Sequence, residues 1–135
     1  AVHQLDAPGV YPVHPRNRER AVRLRAAGGY ENIILTLPVG YKASILLVHR
    51  AKKIVTDSGG LQREAFFAQK PCVTVFDYAV WPETMVNRCN QLARRDRGDI
   101  LDKLSAPVQF DPDYRPFGDG HAAEKIVESI RTFLN

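Results

Sequence analysis

The sequence predicts an α/β fold, a Rossmann-like doubly wound parallel sheet, and two observations indicate it. Short apolar runs alternate with helical segments from residue 9 to residue 76, and the connections between them are brief. This alternation is typical of βαβ units and therefore of parallel strands. The run IIL at residues 33–35 is apolar throughout, as expected of a parallel strand that is covered on both faces.

Four strands and three helices account for this first part of the chain. We expect strands within residues 9–14, 31–38, 53–57 and 72–76, and helices within residues 16–29, 40–51 and 60–69. The pair Gly28-Gly29 is a typical helix end. Apolar side chains fall at helical spacings in the first helix (Ala21, Val22, Leu24) and are expected to face inward in the second (Ile45, Leu46, Val48).

The second part of the chain is less regular. Pro82 is expected to begin a helix with Glu83 in its first turn, and residues 90–93 a short edge strand. Residues 96–104 read as a short helix, and residues 119–134 as an amphipathic C-terminal helix. The side chains expected on the buried side of that last helix are Ala122, Ile126, Val127, Ile130 and either Phe133 or Leu134.

Length and composition predict one domain over residues 1–135, with no membrane-spanning segment and no metal site. The formal charge is +4, and arginines cluster within residues 16–25 and 94–97. Such clusters occur in nucleic-acid binders, but no RNA-binding, zinc or helix-turn-helix motif accompanies them, so we expect no nucleic-acid partner. The sequence has no apolar run of about 18 residues. Because Cys72 and Cys89 form neither a disulfide framework nor a metal motif, a cytoplasmic protein is expected.

A glycine turn at the carboxyl edge of the predicted sheet is the candidate binding site. Ser58, Gly59 and Gly60 stand between a strand and a helix, where free N–H groups and the helix dipole favour an anion. Glycine lets a phosphate approach the backbone, and Glu64, one turn later, could accept ribose hydroxyls. The residues therefore suit a nucleoside diphosphate. They also fit a plain tight turn with a serine N-cap, and their spacing matches neither Walker A nor GxGxxG.

Five segments resemble the non-hydrolysing UDP-N-acetylglucosamine 2-epimerases, in the family's order and with similar spacings. TDSGGLQREAFFAQKP, from residue 56, resembles the family signature T-D-S-G-G-x-Q-x-E-A…K-P. YPVHPRNR and LPVGY precede it and are similar to P-V-H-P-R-T-R and P-L-G-Y. WPET and FGDGHAAEKIVESI follow it and are similar to W-P-E-T and G-D-G-x-A…I. The resemblance thus covers most of the chain.

The resemblance implies the C-terminal, UDP-binding half of a two-domain GT-B architecture. Family members interconvert UDP-GlcNAc and UDP-ManNAc by eliminating UDP and adding it back, with no cofactor. By motif, Ser58, Gly59 and Gly60 would bind the diphosphate and Glu64 the ribose. His14 and Arg16 match the segment near the cleft, where the family can also hold a regulatory UDP-GlcNAc. For His14 itself we expect a structural role rather than proton transfer.

The resemblance also implies what this chain lacks. The family's N-terminal domain, with its catalytic carboxylates, is absent from the sequence, so we expect no catalytic residue here and no turnover by this chain alone. Where relatives read R-D-x-T-E-x-P-E, the chain has FDYAVWPE, with Phe76, Ala79 and Val80 at the arginine, threonine and glutamate. Arg88 stands where relatives have a glycine, and Ser44 stands where many relatives have an aromatic residue near the uracil. Replacement charge could come from Arg88, or from Arg94 and Arg95.

Two other functions stay open on the sequence. The apolar residues at Phe76, Ala79 and Val80 could belong to a non-catalytic module that senses a nucleotide sugar or pairs with another subunit, including a second copy. Half of a GT-B glycosyltransferase would share the architecture, although the P-V-H-P-R and T-D-S-G-G-L-Q matches favour the epimerases. The partners expected are therefore UDP or UDP-GlcNAc, the missing N-terminal domain and, in a homodimer, a second copy.

Overall fold

The computed structural model describes residues 1–134 and contains the alternating strands and helices that the sequence predicts. The strands are β1 (Gly9–Pro12), β2 (Ile33–Thr36), β3 (Ile54–Thr56), β4 (Cys72–Val75) and β5 (Asn90–Ala93). The α-helices are α1 (Arg18–Ala26), α2 (Tyr41–Arg50), α3 (Gly59–Phe67), α4 (Arg97–Ser105) and α5 (Ala122–Leu134). Short 3₁₀ helices cover Val2–Gln4, Pro15–Asn17 and Pro82–Arg88.

All strand pairs are parallel, which confirms the predicted α/β class. β3, β4 and β5 form one sheet in that order, with Ile54 opposite Cys72 and Cys72 opposite Asn90. β1 and β2 form a separate pair in which Val10 lies opposite Ile34. The hydrogen-bond ladder of residues 1–134 is therefore divided into two sheets rather than continuous. Within the three-stranded sheet the carboxyl ends of the strands share one edge, as expected of parallel strands.

The three-stranded sheet is buried on both faces. Successive side chains of a strand point to opposite faces. Cys72 accordingly packs in a cluster with Val48, Ile54 and Ala65, on the side of α2 and α3. Val73 packs on the other side with Ala93 and Leu104, against α4. Of the side chains expected inward on α2, Val48 is buried.

The two-stranded sheet is covered less completely than the sequence suggested. Val10 and Ile34, which are register neighbours, expose 48% and 51% of their surface. The expectation of a β2 buried on both faces is therefore wrong for Ile34. Leu46, expected to face the core from α2, is likewise 52% exposed. In both cases no element of the described chain covers the apolar side chain fully.

The predicted burial of α5 is wrong, although the helix itself is confirmed. None of its side chains is buried, and Phe133 is 88% exposed. The remaining apolar positions are also exposed: Ala122, Ile126, Val127, Ile130 and Leu134. Gly118 and Gly120 precede the helix with φ of 86° and 90°, a left-handed conformation that favours glycine. The apolar stripe of α5 therefore has no cover within the described residues.

The segment between β4 and β5 begins as predicted but does not form an α-helix. Pro82 begins a 3₁₀ helix, which is interrupted at Val86 and Asn87 by non-helical backbone. Asn87 and Arg88 have positive φ. The predicted edge strand at residues 90–93 and the helix after it are confirmed as β5 and α4. Over the described helices, none combines the length and apolar character needed to cross a bilayer.

Candidate functional site

The glycine turn joins β3 to α3 and is held by local hydrogen bonds. Ser58 is the N-cap of α3, and its hydroxyl oxygen accepts from the Leu61 N–H at 3.4 Å. The Ser58 N–H donates to the Thr56 hydroxyl at 3.0 Å. These bonds satisfy part of the helix start and fix the path of the chain into it. The predicted capping role of Ser58 is confirmed.

The first two amides of α3 remain free to bind a ligand. No acceptor within residues 1–134 takes the N–H of Gly59 or Gly60. Both amides lie at the positive end of the helix dipole, where an anion is stabilised. A Cβ added to Gly60 would meet only the Ser58 oxygen, at 3.8 Å. One side of the turn is therefore open, and its donors point to an anionic ligand.

The loop after β4 forms the other side of the turn. A Cβ added to Gly59 would meet Trp81 Nε1 at 3.4 Å and Val80 Cγ1 at 3.5 Å. Val80, which stands at the glutamate of the family that the sequence resembles, thus lies beside the glycine turn. At the start of this loop the rings of Phe76 and Tyr78 make an edge contact, 4.8 Å between centroids. The wall next to Gly59 is therefore aromatic and aliphatic rather than charged.

A buried chain of hydrogen bonds fixes this loop to the sheet. Thr74 Oγ1 of β4 donates to Asn90 Oδ1 of β5 at 2.7 Å. Asn90 Nδ2 donates to Thr84 Oγ1 at 3.1 Å, and Thr84 Oγ1 donates to the Trp81 carbonyl at 2.8 Å. Thr74, Thr84 and Asn90 are all buried. The backbone of Trp81 is therefore positioned by the sheet itself.

Two of the three arginines expected to supply charge lie beside carboxylates, and the third lies at the other edge of the sheet. Arg95 pairs with Asp77 at 3.0 Å, and Arg94 approaches Asp99 at 3.8 Å. Arg88 precedes β5 and so lies toward the amino edge of the sheet, away from the turn. Sequence reasoning missed Arg63, whose Cζ lies 4.2 Å above the centroid of the Trp81 ring. Its position four residues after Gly59, on the same helix face, was the available signal.

The other predicted site residues divide between the turn and β1. Glu64 lies four residues after Gly60, half-buried, and its carboxylate accepts no hydrogen bond from residues 1–134. His14 and Arg16 are exposed and follow β1, in the other sheet. His14 Nδ1 accepts from the Arg16 N–H at 3.3 Å and caps the 3₁₀ helix Pro15–Asn17. That contact gives His14 a structural role; its place in a regulatory site stays a prediction.

Three buried polar atoms near the turn have no hydrogen-bond partner among the described residues. They are Gln62 Nε2, Trp81 Nε1 and Glu83 Oε2. Gln62 is 1% exposed, in α3 directly after the turn. Unpaired buried polar groups are rare in folded proteins and concentrate where ligands or water bind. This part of the molecule therefore holds unmet hydrogen-bonding capacity as well as free amides.

Nothing in the described part of the chain forms a metal centre or an activated thiol. No group of three or more His, Cys, Asp or Glu side chains in residues 1–134 could hold a metal ion. Burial raises the pKa of the Cys72 thiol to about 12 and also raises that of Cys89. A separate cavity of about 270 Å³, lined by Phe66, Phe67, Tyr114 and Phe117 among others, lies at the opposite end of α3 from the turn. Among these features the glycine turn is the one that suits an anion, because it has free amides at a helix N-terminus.

Comparison with known proteins identifies the family of the chain. The family model described as UDP-N-acetylglucosamine 2-epimerase matches residues 1–131. The chain belongs to this family. It is 41% identical over 127 residues, 90% of its length, to a UDP-N-acetylglucosamine 2-epimerase homolog of Methanococcus maripaludis. It is 38% identical, over 92% of its length, to the UDP-2,3-diacetamido-2,3-dideoxy-D-glucuronate 2-epimerase of Pseudomonas aeruginosa.

A solved structure of the epimerase family has the same fold. The UDP-GlcNAc 2-epimerase of Methanocaldococcus jannaschii, in complex with UDP-GlcNAc and UDP, matches 94% of the chain with a TM-score of 0.78 and 28% identity. The chain covers 36% of that structure and 35% of each of the two curated relatives. It therefore spans about a third of the length of these epimerases, and the part it matches is their C-terminal third.

Proposed function

We propose that the glycine turn binds the diphosphate of a UDP-sugar. The observation that carries this proposal is the pair of free amides at Gly59 and Gly60, at the N-terminus of α3, in a chain of the UDP-GlcNAc 2-epimerase family. In this assignment the Ser58 hydroxyl, which already caps α3, also contacts a phosphate oxygen. The unpaired carboxylate of Glu64 accepts the ribose hydroxyls.

The reaction served by this site is 2-epimerisation of a UDP-linked acetamido sugar. In the family, UDP is eliminated and added back, so the group that leaves and returns is the one the turn would hold. Amides and a helix dipole aimed at the diphosphate stabilise the charge that develops on UDP as it leaves. Relatives named for UDP-GlcNAc and for a diacetamido glucuronate support a UDP-acetamido sugar as the substrate class.

The part of the protein described here supplies binding rather than proton transfer. Epimerisation at C2 needs an acid and a base within hydrogen-bond reach of the carbon that loses and regains its proton. The family resemblance assigns these carboxylates to the N-terminal domain, and at the turn Glu64 is assigned to the ribose. We therefore place the catalytic carboxylates in the region of the family fold that this chain does not span. We also place the protein in the cytoplasm, since its two cysteines are buried, unpaired thiols.

Calorimetric titration with UDP tests the binding site. Gly60→Trp fills the open side of the turn and should abolish the binding heat, whereas Ser105→Trp, at the far end of α4, should leave it unchanged. Equal heats for wild type and Gly60→Trp would refute the site. An assay of UDP-GlcNAc epimerisation on this chain alone should show no product, and clear turnover would refute the placement of the carboxylates elsewhere.

We further propose that α5 packs against the region of the family fold outside this chain. Its apolar stripe is exposed, yet the family match extends through residue 131, so the helix is part of the family fold rather than a tail. The curated relatives are about three times as long and contain that further region. An amphipathic helix with an uncovered apolar face needs such a partner, because its burial supplies most of the stability of a short helix.

Co-purification tests the assignment of α5. The matching N-terminal region of the Methanococcus maripaludis relative, expressed with this chain, should form a one-to-one complex. Ile126→Lys with Ile130→Lys should abolish the complex, whereas Thr132→Lys, on the polar side, should not. Retention of the complex by the double variant would refute the proposal. A two-copy assembly lost in the same double variant would instead assign α5 to a homodimer.

A further inference from the structure

We propose that Arg63, stacked on Trp81, is the cation that binds the diphosphate at the glycine turn. The inference rests on the proposed function and adds two residues to that site. Arg63 would bind phosphate oxygens directly, and Trp81 would act as a positioning residue that holds the guanidinium. Neither residue was singled out by the sequence motifs as a ligand-binding group.

The geometry places Arg63 and the turn on one surface. Residues four apart on a helix share a face, so Arg63 lies above Gly59. The Trp81 ring contacts both: its Nε1 lies 3.4 Å from where a Gly59 Cβ would be, and its centroid lies 4.2 Å from Arg63 Cζ. The indole therefore lies between the Cβ side of Gly59 and the guanidinium. An anion bound at the turn would have Arg63 on the Trp81 side.

Arg63 lies one helical turn after Gly59 and has no carboxylate partner among residues 1–134. It forms no ion pair with any described residue, whereas Arg95 is held by Asp77 and Arg94 by Asp99. The covering loop, residues 76–83, contains no lysine or arginine at all. Without Arg63, the described residues would meet a diphosphate at the turn only with backbone amides and the Ser58 hydroxyl. Arg63 also offers a planar fork of donors, which suits phosphate oxygens.

The stack on Trp81 prepares Arg63 for binding. A free arginine loses side-chain entropy when a ligand fixes it, and a stacked guanidinium has lost part of that freedom already. Trp81 is itself fixed, because its carbonyl accepts from Thr84 at the end of the buried chain from β4 and β5. Its ring also makes an edge contact with Phe117, at 6.1 Å. The sheet thus positions the loop, and the Trp81 indole of that loop positions the guanidinium.

Ligands of graded charge test the role of Arg63. Uridine, UMP, UDP and pyrophosphate are titrated into wild type, Arg63→Gln and Arg63→Lys. Arg63→Gln should weaken UDP and pyrophosphate roughly tenfold, the scale of a charge-assisted hydrogen bond, and leave uridine unchanged. Arg63→Lys should be intermediate, since it keeps the charge but loses the fork and the stack. The matched control Arg50→Gln removes the same charge at the far end of α2 and should bind as wild type does.

Trp81 is the sole tryptophan of the chain, so its fluorescence reports on the stack directly. UDP should change that fluorescence in wild type and much less in Arg63→Gln. Trp81→Leu should weaken UDP in wild type but add little in Arg63→Gln, because Trp81 acts through Arg63. Additive losses would overturn the positioning role. Urea denaturation of each variant shows that the fold is kept.

The outcomes separate this inference from the proposed function. If Gly60→Trp abolishes UDP binding while Arg63→Gln binds UDP as wild type does, the nucleotide site stands and the inference is refuted. If wild type binds pyrophosphate through Arg63 but not UDP, the anion site stands and the nucleotide function is refuted. If wild type binds neither ligand, both are refuted.

Discussion

The Thr74 hydroxyl donates a 2.7 Å hydrogen bond to the Asn90 side-chain oxygen, and both residues are buried between β4 and β5. The Asn90 side-chain amide donates to the Thr84 hydroxyl, which in turn donates to the Trp81 carbonyl. The loop that covers the glycine turn is thus tied to the central strand of the sheet. Buried polar chains of this kind specify one arrangement only when each member is paired.

Removing the first hydroxyl of this chain should destabilise the protein. Thr74→Val keeps the shape of the side chain but leaves Asn90 Oδ1 buried without a donor, at a cost of about 1–3 kcal/mol. Urea denaturation should show a lower midpoint with an unchanged slope. Thr132→Val, on exposed α5, is the matched control and should denature as wild type does. Equal midpoints for Thr74→Val and wild type would contradict a structural role for the chain.

Gly60→Ala should separate folding from binding. Gly60 does not have a positive φ, and a Cβ there would meet only the Ser58 oxygen at 3.8 Å, so the fold has room for alanine. Alanine also favours a helix over glycine, so the free energy of unfolding should not fall. The methyl group would stand where a phosphate approaches the amides. The Kd for UDP, measured by calorimetry, should rise about tenfold, or about 1.4 kcal/mol.

Gly59→Ala is the internal comparison for this prediction. Its Cβ would face Trp81 and Val80 at 3.4 and 3.5 Å, toward the loop rather than the open side. It should therefore weaken UDP less than Gly60→Ala does. If Gly60→Ala binds UDP as tightly as wild type does, the glycine is not needed for phosphate approach. A large loss of stability in Gly60→Ala would instead assign the glycine to folding.

The sequence could predict the strands, helices and turn because these depend on neighbours along the chain. Apolar runs, Gly28-Gly29 and the serine cap are local signals, and the structure confirms the elements they indicate. Burial was harder to predict. The apolar stripe of α5 shows that a face needs cover, but not that the cover lies within the same 135 residues. Ile34 was misjudged for the same reason.

The proposed site residues divide into those that one motif contains and those that two distant segments bring together. Ser58, Gly59, Gly60 and Glu64 are read from a single strand-turn-helix. The contact of Arg63 with Trp81 joins α3 to the loop after β4, and no sequence period links them. The carboxylates beside Arg94 and Arg95, which are Asp99 and Asp77, become visible only when β4, β5 and α4 are in place.

The stability of the protein should depend on pH through Asp99, in the first turn of α4. Its carboxylate accepts from Lys103 Nζ at 2.8 Å and from the Arg94 N–H at 2.7 Å. These bonds, the one from Lys103 first, lower the pKa of Asp99 below its ordinary value of 3.8. A carboxyl whose pKa is lower in the folded state stabilises the fold above its unfolded pKa, and that contribution is lost as pH falls through the folded pKa.

Asp99→Asn should therefore denature at a lower urea concentration than wild type at about pH 7. The difference between the two urea midpoints should narrow only below about pH 4. Asp102→Asn, in the same helix but without a side-chain hydrogen bond among residues 1–134, should change little. A gap between Asp99→Asn and wild type that does not narrow as pH falls would show that the carboxylate charge is not what stabilises this turn.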